Sequence, residues 1–160
     1  MDLAKRGFCS DMAPYRIQEI GTRGKGRCIG LQDPNGERLV VSITNISSLA
    51  DAKLRFNAEV DRKGRLVHYT VSIEGLRTAT SPPESWYARI DLAIEEPRID
   101  HCRHPRLHCH IGIDPERNRE QPDVRVPLPW LAPDEALTWI LATIDARLEP
   151  LHPPPTNHSP

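Results

Sequence analysis

Apolar and polar side chains alternate through three successive stretches between residues 54 and 94. In LRFNAEV (54–60), Leu54, Phe56, Ala58 and Val60 share one face of an extended chain, and Arg55, Asn57 and Glu59 share the other. DRKG then supplies a turn into RLVHYTVSIEG, where Val67, Tyr69, Val71 and Ile73 oppose Leu66, His68, Thr70 and Ser72. After the loop LRTATSPPES, the run WYARIDLAI (86–94) places Ala88, Ile90, Leu92 and Ile94 inward and Tyr87, Arg89 and Asp91 outward. Three consecutive strands at 54–60, 66–73 and 86–94, each with one apolar face, predict an antiparallel meander.

The pattern differs on either side of this block. From Tyr15 to Ile46, the turn signals GTRGKG (21–26) and DPNG (33–36) separate the short apolar runs YRIQEI, RCIGL and RLVVSI, which read as strands. SSLADAK (47–53), opening on serine, suggests one or two helical turns. After Pro133 the period lengthens: Leu137, Ile140, Leu141, Ile144 and Leu148 fall on one helical stripe. Pro133 suits the first helical position, Asp134 and Glu135 complement the N-terminal dipole, and Pro150 ends the run. The fold expected is therefore α+β, an antiparallel meander with one principal C-terminal helix (133–149) packed on one face. Residues 15–150 form a single domain in this reading. Residues 1–14 are expected to be a flexible N-terminus and 151–160 a disordered, Pro-rich tail.

Composition narrows the classes of function. Lys+Arg 21 against Asp+Glu 22 leaves a net charge of −1, which gives no overall pull towards nucleic acid, so any such site has to be local. The opening MDLAKRGFCSDM has no apolar run of signal-peptide length, and no later segment approaches a membrane span, so a cytoplasmic location without membrane attachment is expected. In that setting the cysteines at 9, 28, 102 and 109 read as reduced thiols. Trp86, Trp130 and Trp139 read as packing anchors.

Candidate chemistry concentrates in HCRHPRLHCH (101–110), which holds four of the chain's seven histidines and two of its four cysteines. Zinc favours such donors, but a structural site usually joins two separated ligand pairs, and no second His/Cys pair occurs elsewhere. In an extended LHCHIGI, His108 and His110 also share one face with Cys109 on the other, so these three do not easily grip one ion. No metal and no other cofactor is assigned on this pattern. The same alternation sets His108 and His110 on the polar side, where Arg89, Asp91 and His68 can be presented by neighbouring strands. Two histidines with an arginine can serve as acid, base and phosphate clamp in metal-independent RNA cleavage. A non-catalytic structural or interaction domain is also consistent, since histidine tolerates the exposed face of a strand.

Two resemblances bear on these alternatives. R-I-D at 89–91 followed by H-C-H at 108–110 and a helix resembles a bacterial toxin family of toxin–antitoxin systems, with Leu92 where that family has asparagine. It implies a ribonuclease toxin acting through Arg89, Asp91, His108 and His110, with RNA or an antitoxin as partner. More of the chain resembles the ubiquitin-conjugating fold: I-E-G at 73–75, Pro82-Pro83, the aromatic-led WYARIDLAI, His104-Pro105, PWLAP (129–133) and WILATIDARLEP (139–150). Arg106 stands where that family has asparagine, and Cys109 is the only cysteine, serine or threonine between His-Pro and Trp130. This second resemblance implies a ubiquitin-conjugating-like protein of a bacterial modifier system, with an activating enzyme and a ubiquitin-like modifier as partners. Cys109 would carry the acyl group and His104, His108 and His110 would shape the site, or the fold would bind the modifier without catalysis. The readings part at residues 107–113: a strand buries Cys109, whereas an irregular loop exposes it.

Overall fold

The computed structural model describes residues 16–23, 26–32, 35, 40–94, 106–112 and 125–144. Within them lie eight strands: β1 (Arg16–Arg23), β2 (Gly26–Gln32), β3 (Val41–Ile43), β4 (Leu49–Val60), β5 (Leu66–Arg77), β6 (Glu84–Ala93), β7 (Leu107–Gly112) and β8 (Val126–Pro127). One helix, α1 (Pro133–Ile144), follows. The strands make one antiparallel sheet in the order β1-β2-β4-β5-β6-β7-β8, with β3 paired to β4 beyond the end of β2. The expected meander is its centre, β4 to β6, and the α+β architecture holds.

Register arranges the molecule in rows. Phe56, Val71, Ile90 and Cys109 stand opposite one another across four strands, while the next row runs Asn57, Thr70, Asp91, His108. A third row runs Arg55, Ser72, Arg89, His110. Because side chains alternate along a strand, apolar and polar rows fall on opposite faces. Tyr69, Val71, Ile73, Ile90, Leu92, Leu107 and Cys109 build the core face, and Ala136, Ile140 and Leu141 of α1 close over it. Leu137, Ile144 and Phe56, expected within this contact, pack against it half-buried.

The approach to α1 is pinned from the sheet. Tyr69, fully buried, donates its hydroxyl hydrogen to the Leu131 carbonyl at 2.9 Å. Burial, with the charges of Glu135 and Asp91, pushes its phenol well above the usual range, so it remains a donor. Glu135 accepts from the Ala132 backbone N–H at 2.7 Å, satisfying one donor at the helix start. Ser48 donates to the Ile144 carbonyl at 2.7 Å.

Four expectations are corrected. SSLADAK is not helical: after a turn at 47–48 the chain enters β4, and Asp51 takes φ 52° at a bulge. Pairing with β5 outweighs the local serine cap signal. β1 runs through Arg23, so part of the GTRGKG segment is strand. Tyr87, placed outward, is on the polar face as expected but buried, its hydroxyl met by Arg89 Nη1. Trp130 is 64% exposed and, among the described residues, is not part of the core. The expected flexible N-terminus, most of the DPNG turn, the end of the helix and the tail lie outside the described residues.

Candidate functional site

The strand at 107–112 decides which side chains can meet. Alternation along β7 turns Leu107 and Cys109 into the core and His108 and His110 to the polar face. Arg89 and Asp91 alternate in the same way on β6, and pairing sets His108 opposite Asp91 and His110 opposite Arg89. The four residues named for the polar-face reading are therefore brought together. His104 lies outside the described residues, as do Cys9 and Cys102. His68 is on the same face further along β5, opposite Glu59 and Ala93, and takes no part in the group.

Asp91 is the hub. It accepts from Thr70 Oγ1 at 2.8 Å on Oδ1 and from Arg89 Nε at 2.7 Å on Oδ2, with His110 Nε2 3.3 Å from the same Oδ2. Burial alone would raise its pKa; the His110 hydrogen bond, the Arg89 charge and the bonds from Thr70 and Arg89 outweigh it, holding the carboxyl at about 2. It is thus a carboxylate at any physiological pH. The rings of His108 and His110 meet edge-on with centroids 4.6 Å apart, and their residues are only 2% and 4% exposed. Arg89 also reaches the Tyr87 hydroxyl at 3.3 Å.

Beside this group, over β4 and β5, lies an open cleft of about 370 Å³. Its lining includes Ile20 of β1, Leu31 of β2, Arg55 and Asn57 of β4, and Tyr87 and Arg89 of β6, the strand next to the histidines. Gly30 shapes it: a Cβ there would come 2.8 Å from Ile20 Cδ1, so its absence lets Ile20 lie across β2. Asn57 Oδ1 is buried with no hydrogen-bond partner among the described residues. A donor on a bound molecule would satisfy it.

Cys109 has a different setting. Its residue is 0% exposed, and burial, with the Asp91 charge adding, pushes the thiol up to about 11 against an opposing backbone hydrogen bond at Arg89. Such a group is neutral at pH 7 and shielded, the reverse of an activated thiolate.

Reading the sequence for zinc missed one donor. Asp91, His108 and His110 each offer a ligating atom, and these atoms all lie within 4.8 Å of one another. The third donor is a carboxylate from the neighbouring strand rather than a second His/Cys pair, and only strand register reveals it. Thr70 and Tyr87, which hold Asp91 and Arg89, were legible as polar-face residues but not as members of a site.

No protein-family model, curated protein or solved structure matches this chain.

Proposed function

We propose that the polar face of β5–β7 is a phosphoryl-transfer site that cleaves RNA. The observation that carries this reading is one cluster of two imidazoles, a guanidinium and an ionised carboxylate on adjacent strands, bordering a cleft lined by a second arginine. In the reaction, one imidazole removes the ribose 2′-hydroxyl proton and the 2′-oxygen forms a bond to phosphorus. The bond from phosphorus to the 5′-oxygen breaks, and the other imidazole, protonated, supplies that oxygen's proton. A 2′,3′-cyclic phosphate and a 5′-hydroxyl result, with no oxidant and no net change in protons. Arg89 stabilises charge on the phosphate, and Asp91 orients His110 through the contact to its Nε2. Arg89 lines the cleft and holds Asp91, whereas both histidines are nearly closed off, so this reading requires the Arg89–Asp91 contact to open when a phosphate binds Arg89.

This reading is preferred to a ubiquitin-conjugating-like role because acyl transfer needs a thiolate, and burial holds Cys109 as a neutral thiol on the core face, opposite to the cleft. The test uses a fluorogenic RNA oligonucleotide and its 2′-deoxy counterpart, in EDTA, with His108→Ala, His110→Ala and Cys109→Ala proteins. Cleavage of the RNA alone should persist in EDTA and in Cys109→Ala, and fall by about 10²-fold or more in either histidine variant. Undiminished cleavage by His110→Ala would overturn the proposal. A thioester formed at Cys109 with an activating enzyme, modifier and ATP would replace it with the conjugating role.

A further inference from the structure

The trio at the centre of this face has a second chemistry, independent of proton transfer. Two imidazoles and a carboxylate are the borderline and hard donors that Zn²⁺ accepts in three-ligand sites, with water in the fourth position. Ligands at about 2 Å from a tetrahedral ion stand roughly 3.3 Å from one another. His110 Nε2 and Asp91 Oδ2 are already 3.3 Å apart. The widest separation in the trio is 4.8 Å, so it has to draw in by about 1.5 Å, within reach of imidazole rotation about χ1 and χ2.

The surroundings favour such a site. His108 and His110 are i and i+2 on one strand, so both project to the same face. Asp91 is the direct cross-strand partner of His108. Thr70 holds Oδ1 of Asp91 at 2.8 Å and Arg89 holds Oδ2 at 2.7 Å, so the carboxylate is oriented by outer partners as metal-ligating carboxylates are. The arginine charge works against the ion, which makes the site weaker than a thiolate-rich one.

We propose that Asp91, His108 and His110 form a Zn²⁺-binding site. An ion seated there replaces the proton that His110 Nε2 directs at Asp91, which moves to Nδ1 or leaves to solvent, and it occupies imidazole lone pairs that proton transfer needs, so zinc inhibits the nuclease; this regulatory consequence rests on the function proposed above, whereas the binding does not.

The experiment takes the full chain, stripped with EDTA and desalted. Zn²⁺ is titrated calorimetrically, and Co²⁺ is followed by its visible absorption. One ion per chain is expected, with Co²⁺ bands of a nitrogen–oxygen tetrahedral site. Asp91→Asn, which keeps the side-chain shape, and His108→Ala should weaken binding at least about tenfold, the scale of even an outer-shell loss. His68→Ala should leave binding unchanged. Circular dichroism checks that each variant folds, and if His108→Ala does not, Asp91→Asn and ¹⁵N shifts of the imidazole nitrogens on Zn²⁺ addition decide. No binding, or binding that survives Asp91→Asn with unshifted His108 and His110 nitrogens, overturns the site. Zinc bound by the trio without RNA cleavage in any condition upholds the site and removes the nuclease reading. RNA cleavage that saturating Zn²⁺ leaves intact removes the inhibitory consequence.

Discussion

Asp91 shows how much one side chain can hold in this face. Its carboxyl, at about 2 when folded and 3.8 as the ordinary value, is worth about 2 kcal/mol of stability. The folded value is the lower one, so this stabilisation is present above pH 4 and is lost as pH falls towards 2. Metal-free wild-type protein should therefore lose about 2 kcal/mol between roughly pH 5 and pH 2 that Asp91→Asn does not lose, read from urea unfolding at each pH. Equal acid sensitivity in the two proteins would mean that His110, Arg89 and Thr70 do not hold the carboxylate as described. At this scale the sequence was informative about which face a residue occupies and silent about who touches whom. Alternation alone put Arg89, Asp91, His108 and His110 on the polar side. That Asp91 completes a donor set with the two histidines depends on a register between β6 and β7 that no local pattern specifies.

At the scale of elements, the strands were legible wherever alternation was uninterrupted, as in Tyr69, Val71 and Ile73. They were misjudged where a bulge intervenes. SSLADAK carries serine, leucine and alanine that suit a helix start, yet Asp51 adopts a left-handed conformation within β4 and the strand continues to pair with β5. Gly75 makes that irregularity possible: a Cβ there would stand 3.0 Å from the Ala50 carbonyl oxygen and 3.3 Å from Ala52 Cα, both backbone. Gly30 differs, because its nearest neighbour at 2.8 Å is the far end of the Ile20 side chain, which can rotate away. Gly75→Ala should accordingly destabilise by about 1–3 kcal/mol, the usual overpacking range, and Gly30→Ala by clearly less, both from chemical denaturation. If the order is reversed, the β4–β5 bulge is not the tight point of the sheet.

The described residues build one sheet with two unlike sides, and the division runs between adjacent residues. Val71 and Ile90 face α1, while Thr70 and Asp91, one position away, face the cluster. Stability and chemistry are thereby assigned to opposite faces of the same strands. Leu141, fully buried on α1 against the core, has no place in the polar face. Leu141→Ala should cost about 2–5 kcal/mol through the cavity it leaves. β6 is paired on both edges, and β7 is paired to β6 along its length and to β8 at His108 and Cys109, so the cross-strand geometry of Asp91, His108 and His110 should survive that loss. At a temperature where the variant remains folded, Zn²⁺ affinity and RNA cleavage should then stay within about twofold of wild type, the order of the few tenths of a kcal/mol by which distant sites fail to add. Thr70→Val should show the opposite balance: a stability loss of about 1–2 kcal/mol, below that of Leu141→Ala, with Asp91 loosened and both readouts weakened. Parallel loss of stability, metal affinity and cleavage in Leu141→Ala would show that the two faces are coupled through the sheet and that the cluster depends on the helix behind it.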